Sequence, residues 1–320
     1  MTINVQRTRA LLLVGVAGVV SALSAGCAAQ KTHVVPAAQL RPAQDATREQ
    51  LLETYNAYAG AIQSLNATAE FQPTAGSTYS GVIHEYHDFH GFILAARPFS
   101  IRVIGQAPVI GKNIFDMVSD GQTFRIFIPS KNKFLVGSAT LAHPSSKPIE
   151  NLRPQHVLDA LFWSEIPSGD PVLIEQFDAT PNRYYILTEL RRAGGGDEAG
   201  AELEIARKIW FDRADLSIVR IQLYGPGGRL DSDISYSEWP AQAAAPVGAA
   251  SGTQQPGASA ALDFARDIRI TRPQDDYQLE IHITKLVLNQ PIAPDKFVLQ
   301  QPPGSELVHV GEDSGGGAEP

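Results

Sequence analysis

Apolar and polar residues alternate with a period of two along most of this chain, which restricts it to a fold built mainly from strands. Phe99, Ile101 and Val103 share one face of such a run. So do Phe124, Ile126 and Ile128, then Val219, Ile221 and Leu223, and finally Leu279, Ile281 and Ile283. Arg102, Arg125, Arg220, Glu280 and His282 point the other way, and Phe127 breaks the pattern by sharing the side of Arg125. Turn signals punctuate the runs near Gly91, at Asp120-Gly121 and at Ser130-Lys131-Asn132. About eleven strands follow from this reading. Two segments carry helical spacing instead. In residues 46–65 it is set by Leu51, Leu52, Tyr55, Tyr58, Ala59 and Ile62, with Thr47 as N-cap and Gln50 three residues on; the second segment is 154–163. The expected class is mainly β (α+β): an open, curved antiparallel half-barrel with two or more helices covering an apolar concave face. Two helices are few for so many strands, so a partly filled apolar hollow is expected, with a complete ordinary core as the alternative.

The N-terminus raises a second constraint. Cys27 is the only cysteine in 320 residues, so it forms no intramolecular disulfide. Arg7 and Arg9 precede an uncharged apolar run over residues 10–23, and Ser24, Ala25 and Gly26 lead into the cysteine. A membrane-spanning helix needs about 18 or more apolar residues, so this run has the length of a secretory signal core. The segment resembles a bacterial lipoprotein signal, whose lipobox ends in a cysteine. That resemblance implies cleavage before Cys27 and acyl chains upon it; an ordinary signal peptide with a chance cysteine is the alternative. Several acyl chains would hold the domain firmly, at about 0.8 kcal/mol per buried methylene. The absence of Asp at Ala28 and Ala29 points to the outer membrane, periplasmic side, rather than the inner one.

The expected organisation is a signal over 1–26, a flexible tether over 27–45, one domain over 46–310 and a disordered tail over 311–320. Within the domain, 191–202 and 241–261 read as disordered loop insertions, rich in Gly, Ala and Ser, with strand pattern on both sides. Loss of residues 1–26 removes Arg7 and Arg9 from a formal charge of −8, leaving −10. An acidic domain of this kind argues against nucleic acid as a partner.

Four segments taken in order carry a family resemblance: "ARPFSIRVIGQAP", "MVSDGQTFRIFIP", "KIWFDRADLSIVRIQLYGPGGR" and "PDKFVLQQPPGSELV". They resemble the lipoprotein-carrier/receptor (LolA/LolB-like) fold over residues 46–310. The resemblance implies an open β-sheet with helices over its mouth and a hollow that holds acyl chains of lipoproteins or lipids. It also implies a soluble periplasmic carrier protein as a partner, with the lipidated Cys27 placing the chain nearer the receptor. An apolar loop tip in the receptor matches Val109 and Ile110, between Pro108 and Gly111, as a membrane or cargo contact; burial in the core is the alternative. Arg97-Pro98 matches a pair in the soluble carrier, where an arginine helps to close the lid; read from the residues alone, it is a solvated turn. The insertions and the acidic tail depart from the pattern.

Catalytic chemistry is not indicated. His84, His87 and His90 lie three apart, but on a strand His87 points away from the other two, so no metal site is expected. There is no Gly-x-Ser-x-Gly elbow, and "GGGDEAG" lacks the lysine and helix of a phosphate loop. Trp163, Trp210 and Trp239 read as core or rim. No cofactor and no catalytic residue is expected. Two functions remain: an anchored acyl-chain binder in lipoprotein or lipid trafficking, and an anchored sensor or scaffold that binds a protein partner without delivering cargo.

Overall fold

Thr47 starts the first helix with a capping box: its side chain accepts from the Gln50 backbone while the Gln50 side chain accepts from the Thr47 N–H at 2.8 Å. A computed structural model of the chain describes residues 41–77, 82–108, 111–139, 153–179, 181–193, 202–240 and 264–310. The expected signal (1–26), Cys27, residues 28–40, Val109, Ile110, most of both insertions and the tail lie outside the described residues.

Two α-helices and fifteen strands form from the described residues, mostly β as the alternation requires. The helices are α1 (Arg48–Ala61) and α2 (Pro154–Leu161). The strands are β1 (Ser64–Ser77), β2 (Val82–Glu85), β3 (Phe89–Ala96), β4 (Ser100–Gln106), β5 (Asn113–Ser119), β6 (Thr123–Ile128), β7 (Lys133–Ser138) and β8 (Val172–Ala179). They continue with β9 (Asn182–Arg192), β10 (Leu203–Asp212), β11 (Ile218–Tyr224), β12 (Leu230–Ser237), β13 (Asp267–Arg272), β14 (Tyr277–Leu288) and β15 (Glu306–Val310). The sheet is open, in the order β15-β7-β6-β5-β4-β3-β1-β14-β13-β12-β11-β10-β9-β8, with β2 paired to β1. Every pairing is antiparallel except β15 with β7. No helix among the described residues is long and apolar enough to cross a membrane.

Fifteen strands replace the expected eleven or so, for local reasons. The strand pattern is interrupted between β2 and β3, where the chain runs opposite Pro73 of β1, which has no N–H to donate. The turn expected near Gly91 lies instead at Arg97–Phe99, and Gly91 sits inside β3. A side chain at Gly91 would come within 2.7 Å of the Phe71 ring and 2.8 Å of the Ile104 carbonyl, so the glycine serves close approach rather than a turn. The closing "SELV" segment contributes to β15, which caps one edge of the sheet.

One face of the sheet is continuously apolar. In register across six strands, Leu187, Ile209, Ile221, Ile234, Ile270 and Leu279 form a row. Both helices lie on this inner face and bury Leu51, Tyr55, Ala59, Val157, Leu158 and Leu161 against it. The outer face is not uniformly wet. Between β14 and β15 the chain runs back over it, where Arg102 pairs with Asp116 and donates to the Lys296 carbonyl at 2.9 Å.

At the end of the expected tether, Arg41, Gln44 and Asp45 contact the β10–β11 turn. Arg41 pairs with Asp215 at 2.8 Å, the Gln44 N–H donates to the Arg213 carbonyl at 2.6 Å, and Asp45 faces Arg213 at 3.4 Å.

Candidate functional site: the covered inner face

Alternation places side chains on the inner face, and the register decides which of the expected residues reach it. Ile101, Val103, Ile221, Leu279, Ile281 and Ile283 do, and all belong to the buried core. Ile126 packs against that core partly buried, in register with Met117. Phe124 is buried, but under the Arg153 guanidinium at 4.9 Å, at the start of α2. Ile128 and Leu223 are half-buried.

Two expected residues are displaced. Phe99 sits in the β3–β4 turn, 54% exposed, with its ring against Gly121. Val219 falls in a bulge between the pairs made by Trp210 and Phe211, so Ile218 takes the inner position opposite Phe211. Period two alone does not reveal a bulge, which shifts every later residue by one.

The space beneath the helices is largely filled by aromatic rings. Trp163, just after α2, stacks on Tyr55 at 5.8 Å and meets Tyr58, Tyr236 and Phe264 at 6.1, 5.3 and 5.5 Å. Its indole N–H donates to Tyr236 Oη at 2.8 Å, and that hydroxyl donates to the Ala160 carbonyl at 2.9 Å. Trp239 meets Tyr58 and Phe264 at the rim, and Trp210 lies under Arg220 at 5.0 Å. Among the described residues a cavity of about 220 Å³ lies between Tyr55, Asp159, Phe162 and Trp163 on one side and Arg207, Ile221 and Leu223 on the other. Ligand pockets for drug-sized molecules usually measure roughly 300–1,000 Å³. A larger cavity of about 400 Å³ lies on the polar outer face and includes Glu70, Arg269, Glu280 and His282.

Two arginines fasten the cover to the sheet. Arg97 is no solvated turn. Its guanidinium donates to the carbonyls of Ala59, Ile62 and Trp163 at 2.6, 2.8 and 2.8 Å, and lies over the Phe162 ring at 5.3 Å. One side chain from the sheet thus satisfies the end of α1 and the segment after α2 together. On the far side, Arg207 of β10 pairs with the buried Glu189 and donates to Tyr55 Oη and the Ser164 carbonyl, both at 2.6 Å. Asn56 completes the tie with two bonds to the Ile166 backbone, at 2.8 and 3.0 Å. Reading the residues did not reveal Arg207 or Asn56, because nothing local marks a polar side chain whose partners lie far away in sequence.

The electrostatics follow from burial. It raises the Glu189 carboxyl, against the pull of Arg207, and it raises Asp159 at the cavity wall, against a bond from Gln155. His156 of α2 contacts Tyr277 Oη and is held well below the ordinary histidine value by burial, and further by Arg272 and Arg153. His84, His87 and His90 do not converge: His90 faces Glu70 at 3.6 Å, and His87 lies between β2 and β3.

No family model and no curated protein matches this chain. Solved structures do. A LolA superfamily protein from Nitrosomonas europaea is 12% identical, with a TM-score of 0.43, covering 80% of this chain and 99% of that one. A DUF1329 family protein from Desulfovibrio piger is 13% identical, with a TM-score of 0.45, covering 78% and 95%. A structure from Vibrio parahaemolyticus described as an outer membrane lipoprotein-sorting protein domain is 10% identical, with a TM-score of 0.43, covering 78% and 97%.

Proposed function

We propose that this chain is a lipid-anchored lipoprotein on the periplasmic side of the outer membrane that binds acyl chains between its helices and the inner face of its sheet. The observation that carries the reading is the fastening of the cover. The helices close an apolar face through a few polar side chains, Arg97 above all, that hold backbone carbonyls. A cover held by side-chain packing and a few such bonds, with no strand pairing, is separable from the sheet without unravelling a strand. An entering chain would leave water at about 25 cal/mol per Å² and replace the aromatic contacts around Trp163. Transfer between donor and acceptor then needs only a difference in affinity, and a soluble periplasmic carrier is the natural donor. Anchoring falls to Cys27.

Val109 and Ile110 fit the same reading as the membrane or cargo contact. Their flanks are tied, with Ala107 N–H donating to the Lys112 carbonyl at 2.9 Å and Gly111 N–H to the Ala107 carbonyl at 3.0 Å.

The test is displacement of an environment-sensitive hydrophobic dye from the Cys27→Ser protein by a fatty acid or a diacyl lipopeptide. Dye binding and its displacement are expected. A folded protein that binds neither would leave the second reading, an anchored sensor or scaffold, which the filling of the space by Trp163 and its neighbours favours.

A further inference from the structure

The two ends of the sheet are treated differently. At one end β7 is covered by β15, a short strand whose Glu306 pairs with Lys133 at 3.5 Å. At the other end β8 pairs with β9 over eight residues without a bulge, and among the described residues nothing pairs with its second edge. Native sheets guard such an edge with proline, lysine, a bulge or a cover. β8, Val-Leu-Ile-Glu-Gln-Phe-Asp-Ala, carries none of the first three. Leu173, Ile174 and Phe177 are 58, 40 and 43% exposed, and apolar side chains therefore stand on both faces of the edge. Phe177 is already oriented, stacked on Tyr184 of β9 at 6.3 Å.

Charge says what covers it. The strand holds two carboxylates and no cation. Asp178 is engaged by Arg213 at 2.9 Å, whereas Glu175 has no ion-pair partner among the described residues. A second copy of the chain fits poorly. Antiparallel self-pairing joins residues of one face, and the registers that use most of the strand, centred on Glu175 or Gln176, put Glu175 opposite or diagonal to its own copy. Like charges so placed are destabilising. We propose that the free edge of β8 docks an extended segment of a partner protein, added to the sheet as a further strand, with a basic residue facing Glu175 and apolar residues beside Leu173 and Phe177. Backbone bonds would supply affinity, and the side chains on the two faces would supply selection.

The test is selection of random displayed segments of roughly nine residues, a strand's length, on the full Cys27→Ser chain. Enriched segments are expected to carry a basic residue with an apolar residue two positions to either side of it, all on one face of the added strand. They should bind Glu175→Lys and Phe177→Ser about tenfold more weakly, while both variants stay folded, Glu175→Lys at the parent melting temperature and Phe177→Ser slightly below it for loss of its stacking on Tyr184. Selection on Glu175→Lys should turn toward acidic segments. Enrichment without a basic bias, or equal binding by both variants, would overturn the proposal. So would a concentration-dependent dimer in sedimentation that Phe177→Lys dissociates, which would give the edge to a second copy.

Discussion

Arg97 is the residue on which the cover depends most. Replacing it with Ala would strip a charged donor from three carbonyls, and hydrogen bonds to charged groups contribute about 1.5–3 kcal/mol each at most, far from additively. A loss of about 2–3 kcal/mol in urea unfolding is expected, with increased dye binding at temperatures where the variant is still folded; unchanged stability would remove Arg97 from the closure. His156 gives a second test. Its imidazole is held below the ordinary value of about 6.5 by burial and by Arg272 and Arg153. Below that pH the unfolded chain takes up a proton that the folded chain refuses, so this site destabilises the fold as pH falls. The raised Asp159 and Glu189 act in the opposite sense, and the comparison is therefore with His156→Gln. The stability advantage of the parent over that variant should shrink between pH 8 and pH 5, read as melting temperature against pH. A constant difference would contradict the assignment.

At the scale of elements, Thr47 and the apolar spacing made α1 legible, because a capping box is a local signal. Thr47→Ala should cost about 1 kcal/mol in chemical denaturation. The inner rows around Ile101 and Ile281 were legible for the same reason: alternation is local. The bulge that exchanges Val219 for Ile218 was not, nor was the position of Phe99, because register is settled by the neighbouring strand. Arg97 was found by its motif, but from the residues alone it read as a solvated turn, since its three acceptors come from α1 and from the segment after α2. Trp163 read as core and is the hub of the aromatic filling. Trp163→Ala should cost about 3–5 kcal/mol and enlarge the cavity beneath the helices. If the variant stays folded, larger hydrophobic dyes should bind it than bind the parent.

The whole molecule combines an acidic sequence with a strand-built domain whose apolar face is covered by two helices, and Cys27 is its proposed anchor. Anchoring is tested by membrane fractionation: Cys27→Ser should move the protein to the soluble fraction, and retention after a high-salt wash would contradict the lipobox reading. What enters beneath the helices is read directly by photo-crosslinking. The Cys27→Ser protein would be irradiated with a fatty acid carrying a diazirine near its terminal methyl, and the modified residues mapped by mass spectrometry. Labels are expected on the inner side, on Tyr55, Trp163, Ile209 or Ile221, with the yield rising in Arg97→Ala. Labels confined to the outer face around Glu70 and Glu280, or none in either protein, would contradict it.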